Sequence, residues 1–138
     1  MKILVPVDGS GYSLRAAKYA AELAEAFGDA TVDFLHVIVY EPNFMDSSVT
    51  MERAGEKIAR EALDDAKREF AKYSKIEPGS MIETGSSAAN QVCEIAERDG
   101  YDQIVMGTKG KSNMERFLVG SVSNRILLHA PCTCTLMR

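Results

Sequence analysis

The stretch Ile3-Leu4-Val5-Pro6-Val7, closed by Asp8-Gly9-Ser10-Gly11, constrains this chain more than any other feature. An apolar run without polar interruption suits a strand covered on both faces, and strands of that kind belong to parallel sheets flanked by helices. Pro6 has no N–H to give the ladder, so it marks the end of the strand. The glycines and serine that follow turn the chain into a helix. Leu14, Ala17, Ala20, Ala21, Ala24 and Phe27 recur at helical spacing, and Gly28-Asp29 stops the pattern. The alanine-rich face can approach a sheet closely.

The alternation of strand and helix continues to the C-terminus. Thr31–Val39 is mostly apolar and β-branched, and residues 41 to 50 read as a loop. A long helix follows, with Ala54, Ile58, Ala62, Ala66 and Phe70 as its inward stripe and charged residues elsewhere. Pro78-Gly79 then leaves Ser80–Thr84 as a short, partly polar strand suited to a sheet edge. Helix three is expected from Ser87 to Asp99, with Ala88, Val92, Ile95 and Ala96 facing inward and Gly100 as its stop. Strand four is expected over Tyr101–Met106, closed by Gly107. A last helix carries Val122, Ile126 and Leu127, and Thr133–Met137 is the last strand. Strictly alternating elements predict a doubly wound α/β sheet, with right-handed crossovers placing helices on both faces. Ligands of such sheets bind beyond the carboxyl ends of the strands, and Asp8 and Gly107 both fall at that rim.

A chain of 138 residues is read as one domain, residues 1–138, large enough to build a core without disulfides. The formal charge of -4 and the absence of a basic stripe with interleaved aromatics argue against a nucleic-acid partner. Backbone N–H groups can still form a local anion site. No apolar run approaches a membrane span. Cys93, Cys132 and Cys134 are odd in number, and the chain opens directly on Met1-Lys2-Ile3 with no signal peptide, so a reducing, cytoplasmic setting is expected. Cys132-Thr133-Cys134 is too short for the usual zinc spacing.

Three glycine-rich patterns compete for a phosphate. Gly9-Ser10-Gly11 begins like a dinucleotide fingerprint, but Leu14 occupies the third glycine position. Gly110-Lys111-Ser112 ends like a Walker loop, but the required first glycine falls on Val105 inside strand four. The third is Gly107-Thr-Lys-Gly110, nine residues, then Gly120-Ser121. Glycines after a strand let the backbone approach a ligand, and Gly120-Ser121 stands ahead of a helix whose unpaired N–H groups favour an anion. Spacing alone leaves open a second reading, in which these glycines form a turn and a helix cap.

Pro6-Val7-Asp8-Gly9-Ser10, Leu35-His36-Val37 and the stretch from Met106 to Arg138, above all Val119-Gly-Ser-Val-Ser-Asn-Arg-Ile-Leu-Leu-His-Ala-Pro-Cys132, resemble the universal stress protein family. The complete Gly-x-x-Gly, nine residues, Gly-Ser pattern resembles that family's ATP-binding branch. The resemblance implies a five-stranded parallel sheet of order 3-2-1-4-5. It also implies an ATP site, or one for AMP or another adenine nucleotide. By it, Asp8 approaches the adenosine, Pro6 and Val7 line the nearby wall, and Val37 and Met106 contact the adenine. Gly107 and Gly110 receive the ribose and phosphate region, and Ser112, Gly120, Ser121 and Val122 complete the phosphate end. Lys109 and Lys111 are candidate point charges or solvated loop residues. Mg²⁺ or Mn²⁺ arrives, if at all, with the phosphates.

The expected role is regulatory or stress-protective, with nucleotide ordering the loop from Thr108 to Val119 and presenting it to a regulatory protein partner. Family members often dimerise through the last strand, although Thr133-Cys134-Thr135 is less apolar than the family's usual sequence there. Two alternatives stand beside this reading: a slow metal-dependent ATPase or phosphotransferase, for which Asp8 and Glu115 are the candidate acids, and an interaction protein that binds no nucleotide. His36 reads as a structural histidine in an apolar strand, His129 as a C-terminal helix cap and Cys93 as packing.

Overall fold

The computed structural model describes residues 1–40, 49–111 and 119–138. Its elements in chain order are β1 (Lys2–Pro6), α1 (Gly11–Phe27), β2 (Thr31–Val39), α2 (Val49–Phe70), β3 (Gly79–Gly85), α3 (Ala88–Arg98), β4 (Gln103–Gly107), α4 (Ser121–His129) and β5 (Thr133–Met137). They form a five-stranded sheet of order β3-β2-β1-β4-β5 whose recorded pairings are all parallel. The expected architecture and order are those observed.

The uninterrupted apolar run of β1 has the two-sided burial it requires. Ile3 and Val5 enter one core with the alanines of α1, Leu63, Ala66 and Phe70 of α2, and Phe34 of β2. Leu4 enters the opposite core with Leu35, Ile104, Met106, the inward face of α3 and Ile126 of α4. Helices α1 and α2 thus cover one face, and α3 and α4 the other. Phe34 and Phe70 meet edge to face at 5.8 Å, fixing α2 across β2.

Two stripe assignments shift. Phe27 is 57% exposed and Ile58 49% exposed, and Ala54 is exposed as well. Phe27 is the last residue of α1, directly before the left-handed Gly28 cap, where the helix has run past its cover. On α2 the buried stripe is Ala59, Ala62, Leu63, Ala66 and Phe70. Gly55 already faces Ile38 of β2, so α2 meets the sheet through Gly55, Ala59, Ala62, Leu63, Ala66 and Phe70, and Ala54 and Ile58 fall on the outer side of that stripe. In α3 the buried positions are Ala89, Val92, Ile95 and Ala96, with Ala88 only half-buried at the start.

Strand β3 is longer than Ser80–Thr84 by one residue at each end, because the full span pairs with Asp33–Val39 of β2. Strand β4 begins at Gln103 rather than Tyr101, whose side chain is buried and donates its hydroxyl to Asp33 Oδ2 at 2.9 Å. The three cysteines are free and half-buried beside the α3–α4 core. Burial pushes all three thiols up, Cys134 to about 11, which keeps them protonated and unreactive.

Candidate functional site

At the carboxyl rim, the chain leaving β1 is held by short local contacts. Val7 N–H donates to the Leu35 carbonyl at 2.9 Å, which carries Val7 along the sheet beyond the strand. Asp8 Oδ1 accepts the Ser10 N–H at 2.9 Å, and Gly9 between them takes φ +78°, a left-handed value that favours glycine. Ser10 then caps α1, its hydroxyl accepting from Ser13 N–H at 3.2 Å. Asp8 therefore shapes the turn with one oxygen. Its other oxygen faces the opposite loop: a Cβ on Gly110 would stand 2.6 Å from Asp8 Oδ2. A side chain at position 110 would have to displace the Asp8 carboxylate.

The opposite loop leaves β4 at Gly107, whose carbonyl accepts the buried Ser123 hydroxyl at 2.8 Å. Thr108 N–H continues the ladder to Met137 O at 2.8 Å, and Gly120 N–H returns to Thr108 O at 2.6 Å. The two ends of the loop are thereby closed on each other. The Gly120 amide is committed to that closure, so the donors that face a ligand must come from the residues after it. Helix α4 provides them. Its N-cap, Gly120, supplies no side-chain cap, and the first helical bond runs from Asn124 N–H to Gly120 O. The amides of Ser121, Val122 and Ser123 precede that bond, and the Ser121 hydroxyl stands beside them. By contrast, Ser10 caps α1 and Ser87 caps α3.

Between these loops lies a cavity of about 710 Å³. Pro6, Val7, Asp8, Val37, Met106, Gly107, Gly110, Gly120, Ser121 and Val122 all line it. Ser112 lies outside the described residues, as does Glu115. The lining also includes residues read from sequence only as core or structural positions, or not singled out: Leu35, His36, Ala88, Val92 and Ile126, with Ser13, Ser123, Asn124 and Val119. Their apolar helical spacing was visible, but one inward face serves core and cavity alike. Lys109 lines the cavity too, while Lys111 folds back so that Cε and Nζ lie 3.2 Å from where a Cβ on Gly9 would stand. His36 Nδ1 lies 2.8 Å from the Val7 carbonyl, which can only accept, so Nδ1 carries the proton of the neutral ring. Burial pushes the His36 imidazole below its ordinary range. The Val7 carbonyl and the Asp8 carboxylate oppose that shift, and Lys111 adds to it.

The arrangement has apolar walls, a row of helix amides and two lysines nearby. Asp8 is the one carboxylate among the described lining residues, and among the described residues no group of three or more His, Cys, Asp or Glu could hold a metal ion. Its chemistry suits binding a flat apolar group joined to an anion.

The model of the universal stress protein family matches residues 1–138. The chain belongs to that family. A universal stress protein of Methanocaldococcus jannaschii is 38% identical over 136 residues, which cover 95% of this chain and 78% of the relative. The solved universal stress protein UspA of Lactobacillus plantarum superposes with a TM-score of 0.86 at 25% identity, covering all of this chain and 97% of that one. The universal stress protein of Archaeoglobus fulgidus, solved in complex with dAMP, shares the fold with a TM-score of 0.76 at 21% identity, over 100% and 98% of the two chains. Among the described residues no helix of this universal stress protein is long and apolar enough to cross a membrane.

Proposed function

We propose that residues 1–138 act as a single nucleotide-binding domain that holds ATP, or another adenine nucleotide such as AMP, and signals its occupancy to a protein partner. The observation that carries this reading is the uncapped N-terminus of α4 opening onto a cavity with apolar walls, at the carboxyl rim of a parallel sheet. Val37 and Met106, joined by Val92 and Ala88, offer the slot for the base. Asp8 Oδ2 accepts from the ribose hydroxyls. The Ser121–Ser123 amides and the Ser121 hydroxyl take the phosphate, with Gly107 and Gly110 keeping the approach clear and the lysines adding charge. The dAMP bound by the Archaeoglobus relative supports the ligand class.

A divalent ion would enter as part of the nucleotide. With Asp8 as the single carboxylate among the described lining residues, those residues offer neither a resident metal site nor a second acid to orient water. Bound nucleotide stabilises the folded chain by mass action. A cytoplasmic homodimer through β5, whose outer edge is free of a strand partner within this sheet, completes the proposal.

Purification under native conditions, followed by denaturation and mass spectrometry of the released small molecules, tests the reading. An adenine nucleotide at near-stoichiometric yield, or restored tight binding to stripped protein, is the expected result. Stripped protein that ignores ATP, ADP and AMP at millimolar concentration would refute it.

A further inference from the structure

Strand β3 ends the sheet on one side and pairs within it only with β2. Its seven residues match Asp33–Val39 one for one, without a bulge, and Gly79–Gly85 contains neither Lys nor Pro. A regular edge that lacks those devices is a template for another strand. Gly85 O accepts from Tyr40 N–H at 3.2 Å, so the backbone groups of Gly85 point toward β2. Successive residues of a strand present these groups to opposite sides, which turns the N–H and C=O of Ser80, Ile82 and Thr84 outward. Beside this edge α2 and β3 enclose a hollow of about 340 Å³, lined by Arg60, Leu63, Asp64, Ser80, Met81 and Ile82. Arg60 and Asp64 are exposed and stand one helical turn apart on its α2 wall. Their neighbours pair along the helix, Lys57 with Glu61 at 3.9 Å and Arg68 with Asp65. Among the described residues, Arg60 and Asp64 enter no ion pair of their own chain. One charge of each sign beside an open edge is complementary to itself after a two-fold rotation.

We propose that the β3 edge is a surface for a second copy of this chain, joined antiparallel about a two-fold axis at Ile82. In that register Ser80 faces Thr84 of the second copy, Ile82 faces Ile82, and Met81 faces Glu83. No like charges stand directly opposite one another, and the Ser–Thr pairs can share hydrogen bonds. Each outward-facing pair exchanges both of its backbone bonds, as in any antiparallel ladder. The two α2 helices then lie side by side in opposite directions, and Arg60 of each copy faces Asp64 of the other. Two copies thereby satisfy both the unpaired edge and the unpaired charges that one copy leaves open. The inference is separate from the nucleotide reading and from pairing through β5, which lies at the other edge of the sheet.

Charge reversal tests this arrangement. Arg60→Asp leaves two acids on the α2 wall, and Asp64→Arg leaves two bases. Each variant alone opposes like charges twice in a symmetric pair, whereas a mixture of the two variants restores both attractions. Sedimentation equilibrium measures the association, and amide hydrogen exchange at Ser80, Ile82 and Thr84 locates it, because pairing through β5 protects other amides. In the wild type these amides should gain protection as the protein concentration rises. Each variant alone should associate at least about tenfold more weakly, and the mixture should recover the wild-type strength. Thr84→Pro removes an outward N–H without touching the ladder to β2, so it should weaken association with no charge altered. Exchange at these amides that ignores concentration overturns the proposal. So do single variants that associate as the wild type does, or a mixture no stronger than its components.

Discussion

The two rims of the sheet are built from the same strands and treat their polar groups in opposite ways. At the amino rim the polar groups satisfy one another. Tyr101 hydroxyl donates to Asp33, Lys2 Nζ donates to Asp99 O at 2.9 Å and lies over the Tyr101 ring, and Lys2 N–H reaches Asp102 at 2.7 Å. At the carboxyl rim, Asp8 keeps one oxygen turned toward Gly110, the α4 amides are uncapped, and a cavity separates the loops. One end is closed by its own side chains, and the other is arranged around something the chain does not contain. Stability and binding are therefore separable, and substitutions at the two rims should divide accordingly.

The largest effect is expected at the closed rim. A Cβ on Gly79 would collide with Asp33 Oδ1, the carboxylate that also holds Tyr101. Gly79→Ala should cost about 3 kcal/mol of stability by overpacking, read from urea unfolding, with AMP affinity of the folded fraction unchanged. Parallel losses of stability and affinity would show that the rims are coupled.

Next comes Gly120→Val at the open rim. Gly120 has φ -72° and ψ 163°, an extended conformation that valine adopts freely. Stability should move by less than about 1 kcal/mol, whereas AMP affinity should fall at least about tenfold, or 1.4 kcal/mol, because the added branches crowd the start of α4. Retained affinity would remove the phosphate from that helix.

Tyr101→Phe sharpens the contrast at smaller cost. It deletes one hydrogen bond to a carboxylate and should lower stability by about 1–2 kcal/mol, without altering AMP binding. The smallest effect concerns His36 in the ligand-free protein. Its folded-state pKa is depressed below the ordinary 6.5, so the native state favours the neutral ring. The associated stability is complete above pH 6.5 and declines as the pH falls below it. His36→Asn should flatten that part of the stability curve between pH 7 and 5, and an unchanged curve would show that His36 titrates alike in folded and unfolded chains.

Much of the carboxyl rim was legible because its signals are local. Gly107, Gly110 and Gly120-Ser121 follow a strand or precede a helix, and Pro6 and Asp8 end an apolar run, so their place at a strand end follows from adjacent residues alone. The amino rim was not legible. Asp33 and Tyr101 are 68 positions apart, and only the sheet brings them to 2.9 Å. Ile58 and Phe27 carried correct helical spacing, yet spacing cannot say which neighbouring stripe of a helix meets the sheet or where the helix ends.

By itself, the sequence determined the alternation of elements, the two-sided burial of β1 and the glycine spacing along one rim, because periodicity and backbone chemistry act over neighbouring residues. The tertiary structure alone decided which amides remain for a ligand and that His36 Nδ1 meets the Val7 carbonyl. Those depend on loop closure and on distances between strands that share no sequence neighbourhood, such as the bond that commits the Gly120 amide to Thr108.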